Sequence, residues 1–438
     1  MRQQCSLRLS KTLLRIGLFI FCVHTAVSSA TDFDALAYYK YLHANPELSF
    51  QESNTAKMLA DTLEQAGYEV TRSVGGHGVV ALLRNGEGPT VLMRADMDAL
   101  PVAEQTDLPY ASTQRAIELD GREVSVMHAC GHDVHMTVVI DAALTMLNRR
   151  EDWQGTLMVI MQPAEERGAG ARDMLADGLF KRFPEPDFNI SLHTSATLPA
   201  GQVGYIEGWM MANVDMVDVT LFGVGGHGAY PHTTKDPIVL AASVIGDLQT
   251  LVSREIHPTE AGVVTVGSIH GGTKHNIIPD QVELQLTVRS YSDDVRQTLL
   301  AGIERIAIKQ AETLGFPEEL APTVSVREEY TPALWNDPQL VRRGVAAMRA
   351  ELGEAALVEI SKEMGGEDFS RYGRTEKRIP SFMIRLGTVP EKLFAAAERG
   401  DARLPSLHSP FFAPDPKPTL HTGERAMTAM ALELLARR

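Results

Sequence analysis

Hydrophobic residues recur at three- and four-residue spacing over 32–44 and again over 52–66, which predicts two amphipathic helices, the second stopped by Gly67. The pattern then shortens. Runs at 79–83 and 90–93 flank the turn segment Asn85-Gly-Glu-Gly-Pro89, and 156–161 and 188–192 are nearly unbroken apolar or β-branched stretches. Such stretches suit strands inside a sheet covered on both faces, and the helical patterns at 137–147 and 171–179 supply the cover.

From residue 213 the order changes to strand 216–224, helix 237–254, strands 262–269 and 281–289, helix 293–314 and strand 323–328. That β-α-β-β-α-β order is the order of a ferredoxin-like module, expected to fold as an inserted unit. A helix at 338–352, a strand at 382–386 and a closing helix at 420–436 are too few for a third core and are expected to return to the first domain. The expected division is therefore a catalytic α/β domain in two parts, 31–212 and 330–438, interrupted by a lid at 213–329. Its sheet is expected to be mixed.

Composition narrows the function. With 438 residues, 44% hydrophobic and 22% charged, the chain is a globular protein with ample core, which excludes intrinsic disorder. Acidic residues outnumber basic ones 56 to 41, a net charge of −15 that argues against a nucleic-acid partner. Residues 1–30 carry Arg2, Arg8, Lys11 and Arg15, no acid, an apolar run at 16–23 and the small residues Val27-Ser-Ser-Ala30. This is the pattern of a cleaved signal peptide, its apolar run too short to span a membrane, so export to a periplasm or the medium is expected. Cleavage after Ala30 removes Cys5 and Cys22 and leaves Cys130 as the lone thiol, with no internal disulfide available. In an oxidising compartment such a thiol is buried and inert, paired between chains, or held by a metal.

Its surroundings are Met127-His-Ala-Cys-Gly-His-Asp-Val-His135, with three histidines beside one cysteine and Gly131 favouring a loop that turns Cys130 and His132 to one point. The strand at 156–161 runs into Gln162-Pro-Ala-Glu-Glu166, and adjacent carboxylates can divide labour, one holding a cation while the other moves a proton. The strand at 188–192 is expected to end at His193, and open α/β sheets place their sites at such carboxyl ends. In the module, His227 stands among glycines, Asn276 lies on a second loop, and Arg289 ends a strand with a guanidinium suited to a carboxylate. His408 lies in a proline-rich loop before the last helix.

The segments Arg94-Ala-Asp-Met-Asp-Ala-Leu-Pro101, Met127-His-Ala-Cys-Gly-His-Asp133, Gln162-Pro-Ala-Glu-Glu166, Gly225-Gly-His-Gly-Ala229 with Pro231-His232, and Asn276-Ile-Ile-Pro-Asp280 closely resemble the metal-dependent amidohydrolases. That family includes hippurate hydrolases, auxin–amino acid conjugate hydrolases and N-acyl-amino-acid amidohydrolases. His43-Ala-Asn-Pro-Glu-Leu48 resembles its N-terminal signature. The resemblance implies a zinc-peptidase-like catalytic domain with a ferredoxin-like lid. By position it implies Cys130, His132, Glu166, His193 and His408 as ligands of two divalent metal ions, and Glu165 as general base. His227 is implied as a stabiliser of the oxyanion, Asn276 and Arg289 as grips on the substrate, and Asp98 as a residue orienting a ligand.

Thiolate and imidazole favour zinc, with cobalt, nickel or manganese also compatible. The implied substrates are N-acyl-amino acids or short peptides, with a dipeptidase, a carboxypeptidase or a non-catalytic binder as alternatives, and a homodimer through the lid is expected. One departure stands out: Thr194-Ser-Ala-Thr197 replaces the bulky residue that relatives often carry after His193, so this stretch is expected to shape the substrate pocket.

Overall fold

The computed structural model describes Met1, residues 33–328 and residues 330–437; the signal-peptide reading falls on 1–30 and so lies almost wholly outside the described residues. The larger sheet has eight strands in the order Glu69–Val74, Gly78–Asn85, Gly155–Gln162, Thr90–Asp96, Phe188–Pro199, Ser381–Val389, Val203–Tyr205, Leu357–Glu359. Its middle four strands are parallel and the pairings Glu69–Val74 with Gly78–Asn85, Gly78–Asn85 with Gly155–Gln162, and Val203–Tyr205 with Ser381–Val389 are antiparallel, so the sheet is mixed. Every residue of Thr90–Asp96 and Gly155–Gln162 is buried, as their unbroken apolar pattern requires of strands covered on both faces.

On one face the helix His132–Asn148 packs against Pro416–Leu434 and Ala35–Ala44, sealing a core that includes Leu59, Val91, Met93, Val139, Trp153, Phe382 and Met430. Burying a Leu or Phe side chain contributes roughly 1.5–3 kcal/mol. The strand Ser381–Val389, from the far end of the chain, pairs in parallel with Phe188–Pro199. C-terminal elements thus complete the large sheet.

A separate four-stranded antiparallel sheet has the order Gly262–Gly271, Gln281–Ser290, Asn213–Phe222, Thr323–Val326, the spatial order of a ferredoxin-like module. Alternate residues Val282, Leu284, Leu286 and Val288 turn inward against the helices Pro237–Thr250 and Asp293–Thr313, closing a second core. Period-two burial leaves the other face polar.

Several expectations are corrected. The helix predicted over 137–147 begins five residues earlier, at His132, with Gly131 at φ 80° as its N-cap residue. The helix predicted over 171–179 is broken by Gly178 at φ 85° into Gly170–Ala176 and Leu179–Arg182. The strand predicted to end at His193 continues to Pro199, because Ser381–Val389 keeps pairing with it after the other neighbour has left. Among the described residues, no helix is long and apolar enough to cross a membrane.

Candidate metal centre

The residues that converge come from loops, a helix start and the central parallel strands of the large sheet. Thr90–Asp96 pairs with Phe188–Pro199 only as far as Arg94 opposite Ser191; beyond that the two strands part from each other while each keeps its outer partner. Past Gln162, Ala164 adopts the left-handed φ of 49° and opens the 3-10 turn Glu165–Arg167. His408 is also left-handed, at φ 65°, and its backbone N–H donates to the carbonyl of Ala129 at 2.8 Å. Non-glycine residues in this region cost about 1–3 kcal/mol each, a strain typical of functional sites.

Here Cys130 Sγ lies 3.6 Å from His193 Nε2. The other ring nitrogen of His193 is 2.8 Å from the Thr194 carbonyl, which can only accept, so Nδ1 carries the proton and Nε2 turns a bare lone pair to the thiol. His132 Nε2 stands 3.8 Å from Glu166 Oε1, and His408 Nε2 stands 3.5 Å from the same oxygen. Potential ligand atoms of Cys130, His132 and His193, of Cys130, Glu166 and His408, and of His132, Glu165 and Glu166 each fall within 4.8 Å of one another. The five residues implied as ligands and Glu165 thus form one cluster.

The cluster fits cations. Both ring nitrogens of His132 and Oε1 of Glu166 are buried with no hydrogen-bond partner, a costly state for the carboxylate oxygen and for the bare lone pair of a neutral imidazole unless a positive charge faces them. Thiolate, imidazole and carboxylate are also the donor set of a zinc-type site. Burial pushes the Cys130 thiol well up, and burial together with Glu367, Glu166 and Asp368 pushes Glu165 well above the usual carboxylate range. Glu166 is raised to about 7, chiefly by burial, with His132 pulling the other way. Burial is the leading cause for all three, and neighbouring carboxylates add to it.

Beside the cluster a cavity of about 560 Å³ is lined by Glu165, Glu166, Phe50, Leu119, Met216 and Arg289 among others. Arg289 reaches it from the smaller sheet, held by Thr287 Oγ1 at 3.0 Å and the Met364 carbonyl at 3.2 Å, both uncharged acceptors. His227 and Asn276 are brought to one another, not to the cluster. His227 is exposed on a two-residue ribbon opposite Ile277, its Nδ1 accepting the N–H of Ala229, while the carbonyl of Asn276 accepts the N–H of Gly228. Of the stretch Thr194–Thr197, expected to shape the pocket, Thr194, Ser195 and Ala196 are buried because the strand that carries them continues inside the sheet, while Thr197 is exposed, and none of the four lines this cavity.

Sequence reasoning missed the layer beneath. Arg94 is fully buried, its guanidinium bonded to Asp96 at 2.8 Å, Glu367 at 2.9 Å, Asp368 at 3.1 Å and Gln162 at 3.0 Å. His135 Nδ1 donates to Asp96 Oδ1 at 2.6 Å, since its Nε2 accepts the N–H of Thr194. Glu367-Asp368, adjacent carboxylates after Gly365-Gly366, carried the same signal as Glu165-Glu166.

Residues 92–408 match the model of Peptidase family M20/M25/M40. The chain belongs to this family. It is 37% identical over 356 residues to the N-acetylcysteine deacetylase of Bacillus subtilis, spanning 79% of this chain and 86% of that protein. It is 36% identical over 350 residues to IAA-amino acid hydrolase ILR1-like 2 of Arabidopsis thaliana, spanning 80% and 76%. The solved structure of the Bacillus subtilis YXEP protein, a dinuclear metal-binding peptidase of the M20 family, superposes with a TM-score of 0.74 at 30% identity over 92% of this chain and 97% of that one. As an M20 member the protein is a metal-dependent hydrolase acting on amide or peptide bonds, with the mixed α/β fold of that family.

Proposed function

We propose that the protein hydrolyses the amide bond of N-acyl-amino acids, with Cys130, His132, Glu166, His193 and His408 holding two divalent metal ions and Glu165 acting as general base. The carrying observation is the convergence of these side chains on one cluster, with His193 Nε2 facing Cys130 Sγ and the ring nitrogens of His132 and Oε1 of Glu166 left without hydrogen-bond partners. The donor set favours zinc.

Bound divalent ions would supply Lewis acidity, which makes a water molecule nucleophilic at neutral pH. Glu165 lines the cavity and takes the proton of the attacking water on its carboxylate, then gives it to the departing amine. Its raised affinity for protons suits the second of these transfers. Arg289, charged and held by neutral acceptors, binds the carboxylate of the amino-acid half within the same cavity. His227 and Asn276 lie on one lid ribbon, and their roles at the oxyanion and the substrate carbonyl require that ribbon to approach the cluster, within a subunit or across a homodimer. Export through the segment 1–30 is part of the proposal and rests on its charge and apolar pattern.

The test is amino-acid release from N-acetyl-, N-benzoyl- and longer N-acyl-amino acids by protein loaded with zinc, cobalt or manganese. Release abolished by a chelator is expected. Release only from dipeptides would replace the acyl substrate by a peptide. Binding without release would make the protein a non-catalytic binder, and activity indifferent to chelators but lost on thiol alkylation would replace the metal mechanism with a Cys130 nucleophile.

A further inference from the structure

Thr194 follows a proposed ligand in sequence and touches a second one in space. Its Oγ1 donates to the carbonyl of Cys130 at 2.7 Å, and its own carbonyl accepts Nδ1–H of His193 at 2.8 Å. Its N–H donates to His135 Nε2 at 2.8 Å, and His135 is anchored in turn by Asp96. The side chain is fully buried and packs so tightly on the loop that a Cβ at Gly131 would come within 2.8 Å of both Oγ1 and Cγ2. Gly131 therefore answers two demands, the left-handed φ of 80° and the close approach of Thr194.

These bonds join the strand carrying His193 to the loop carrying Cys130 at the point where both side chains face one another at 3.6 Å. The strand alone does not set that distance, because the loop is no part of the sheet. We propose that Thr194 is a positioning residue for the metal centre, its hydroxyl pinning the backbone of Cys130 and its peptide group orienting the His193 ring. It rests on the assignment of Cys130 and His193 as ligands, which is tested separately.

Thr194→Val keeps the branched shape but removes the donor to Cys130, whereas Thr194→Ser keeps the donor. The full chain, stripped of metal, is titrated with Co(II), and affinity is followed together with the thiolate-to-cobalt charge-transfer absorption. Outer partners of metal ligands typically change metal affinity by about 10–100-fold, so T194V is expected to bind Co(II) more weakly in that range, with a diminished thiolate band. T194S is expected to restore both. Wild-type affinity and absorption in T194V would overturn the proposal, as would a T194S defect equal to that of T194V. Should T194V fail to fold, T194A is read in the same way. Unchanged Co(II) binding and thiolate absorption in C130A and H193A would instead overturn the ligand assignment itself.

Discussion

Asp98 Oδ2 accepts the backbone N–H of Glu166 at 3.0 Å, while its Oδ1 accepts that of Glu165 at the same distance. One buried carboxylate thus holds both glutamates by their peptide groups, and Ser49 Oγ braces it at 2.6 Å. Its Oδ1 also stands 3.5 Å from His132 Nδ1, so the base, one proposed ligand and a second share a single anchor. A carboxylate facing the open N–H groups of a helical turn is stabilising there.

Removing that anchor has a defined outcome. Asp98→Ala is expected to lower metal affinity by about 10–100-fold, as loss of a residue behind metal ligands does. Metal content after dialysis against limiting zinc reads it, and full retention would remove Asp98 from the centre.

Glu165→Gln keeps the size of the side chain and removes the base. We expect metal binding within error of wild type and a fall in kcat of about 10²–10⁴-fold, the usual contribution of a general acid–base group. Near-normal turnover would reassign the proton transfer.

Arg289→Gln should act on binding of the carboxylate. A hydrogen bond to a charged group is worth about 1.5–3 kcal/mol, so KM for an N-acyl-amino acid should rise by at least about tenfold. With the amino acid presented as its amide, the variant and wild type should differ little. An equal loss on both substrates would deny Arg289 this role.

His43 offers a test by pH. Its Nδ1 lies 2.7 Å from Asp133 and its Nε2 3.0 Å from Glu104, so both nitrogens donate and the ring is an imidazolium. Burial alone would lower its pKa, but the two carboxylates outweigh it and raise the value from 6.5 to about 10. The folded state therefore binds this proton more tightly than the unfolded chain. Its stabilisation is complete below pH 6.5 and is lost as pH rises toward about 10. Urea unfolding should show the wild type exceeding His43→Gln most below pH 6.5, with the gap narrowing through that window. A gap independent of pH would mean that His43 acts by packing alone.

Much of this was written locally. Periodicity marked the strands Thr90–Asp96 and Gly155–Gln162 and the helices Ala35–Ala44 and Ser53–Gln65, because spacing of apolar residues is a property of a few consecutive positions. The Cys130 loop, the Glu165-Glu166 pair and His193 were legible for the same reason, since unusual ligand chemistry is packed into short segments. Arg289 was read as a carboxylate grip, and it lines the cavity beside Glu165.

Burial and long-range partners were not legible. Arg94 meets Glu367 across 273 positions, and nothing near either residue announces the other. His193 lies within its strand and not at its end, because the pairing that prolongs it comes from Ser381–Val389, nearly two hundred positions further on. Thr194 looked like a pocket residue in the sequence; the fold made it an internal tie between Cys130 and His193. The amino-acid order by itself determined which chemical groups are present and the elements that carry them, since both depend on neighbours along the chain. Tertiary structure alone decided which groups meet and which are sealed from water, because those relations arise only when distant segments compete for the same core and the same hydrogen bonds.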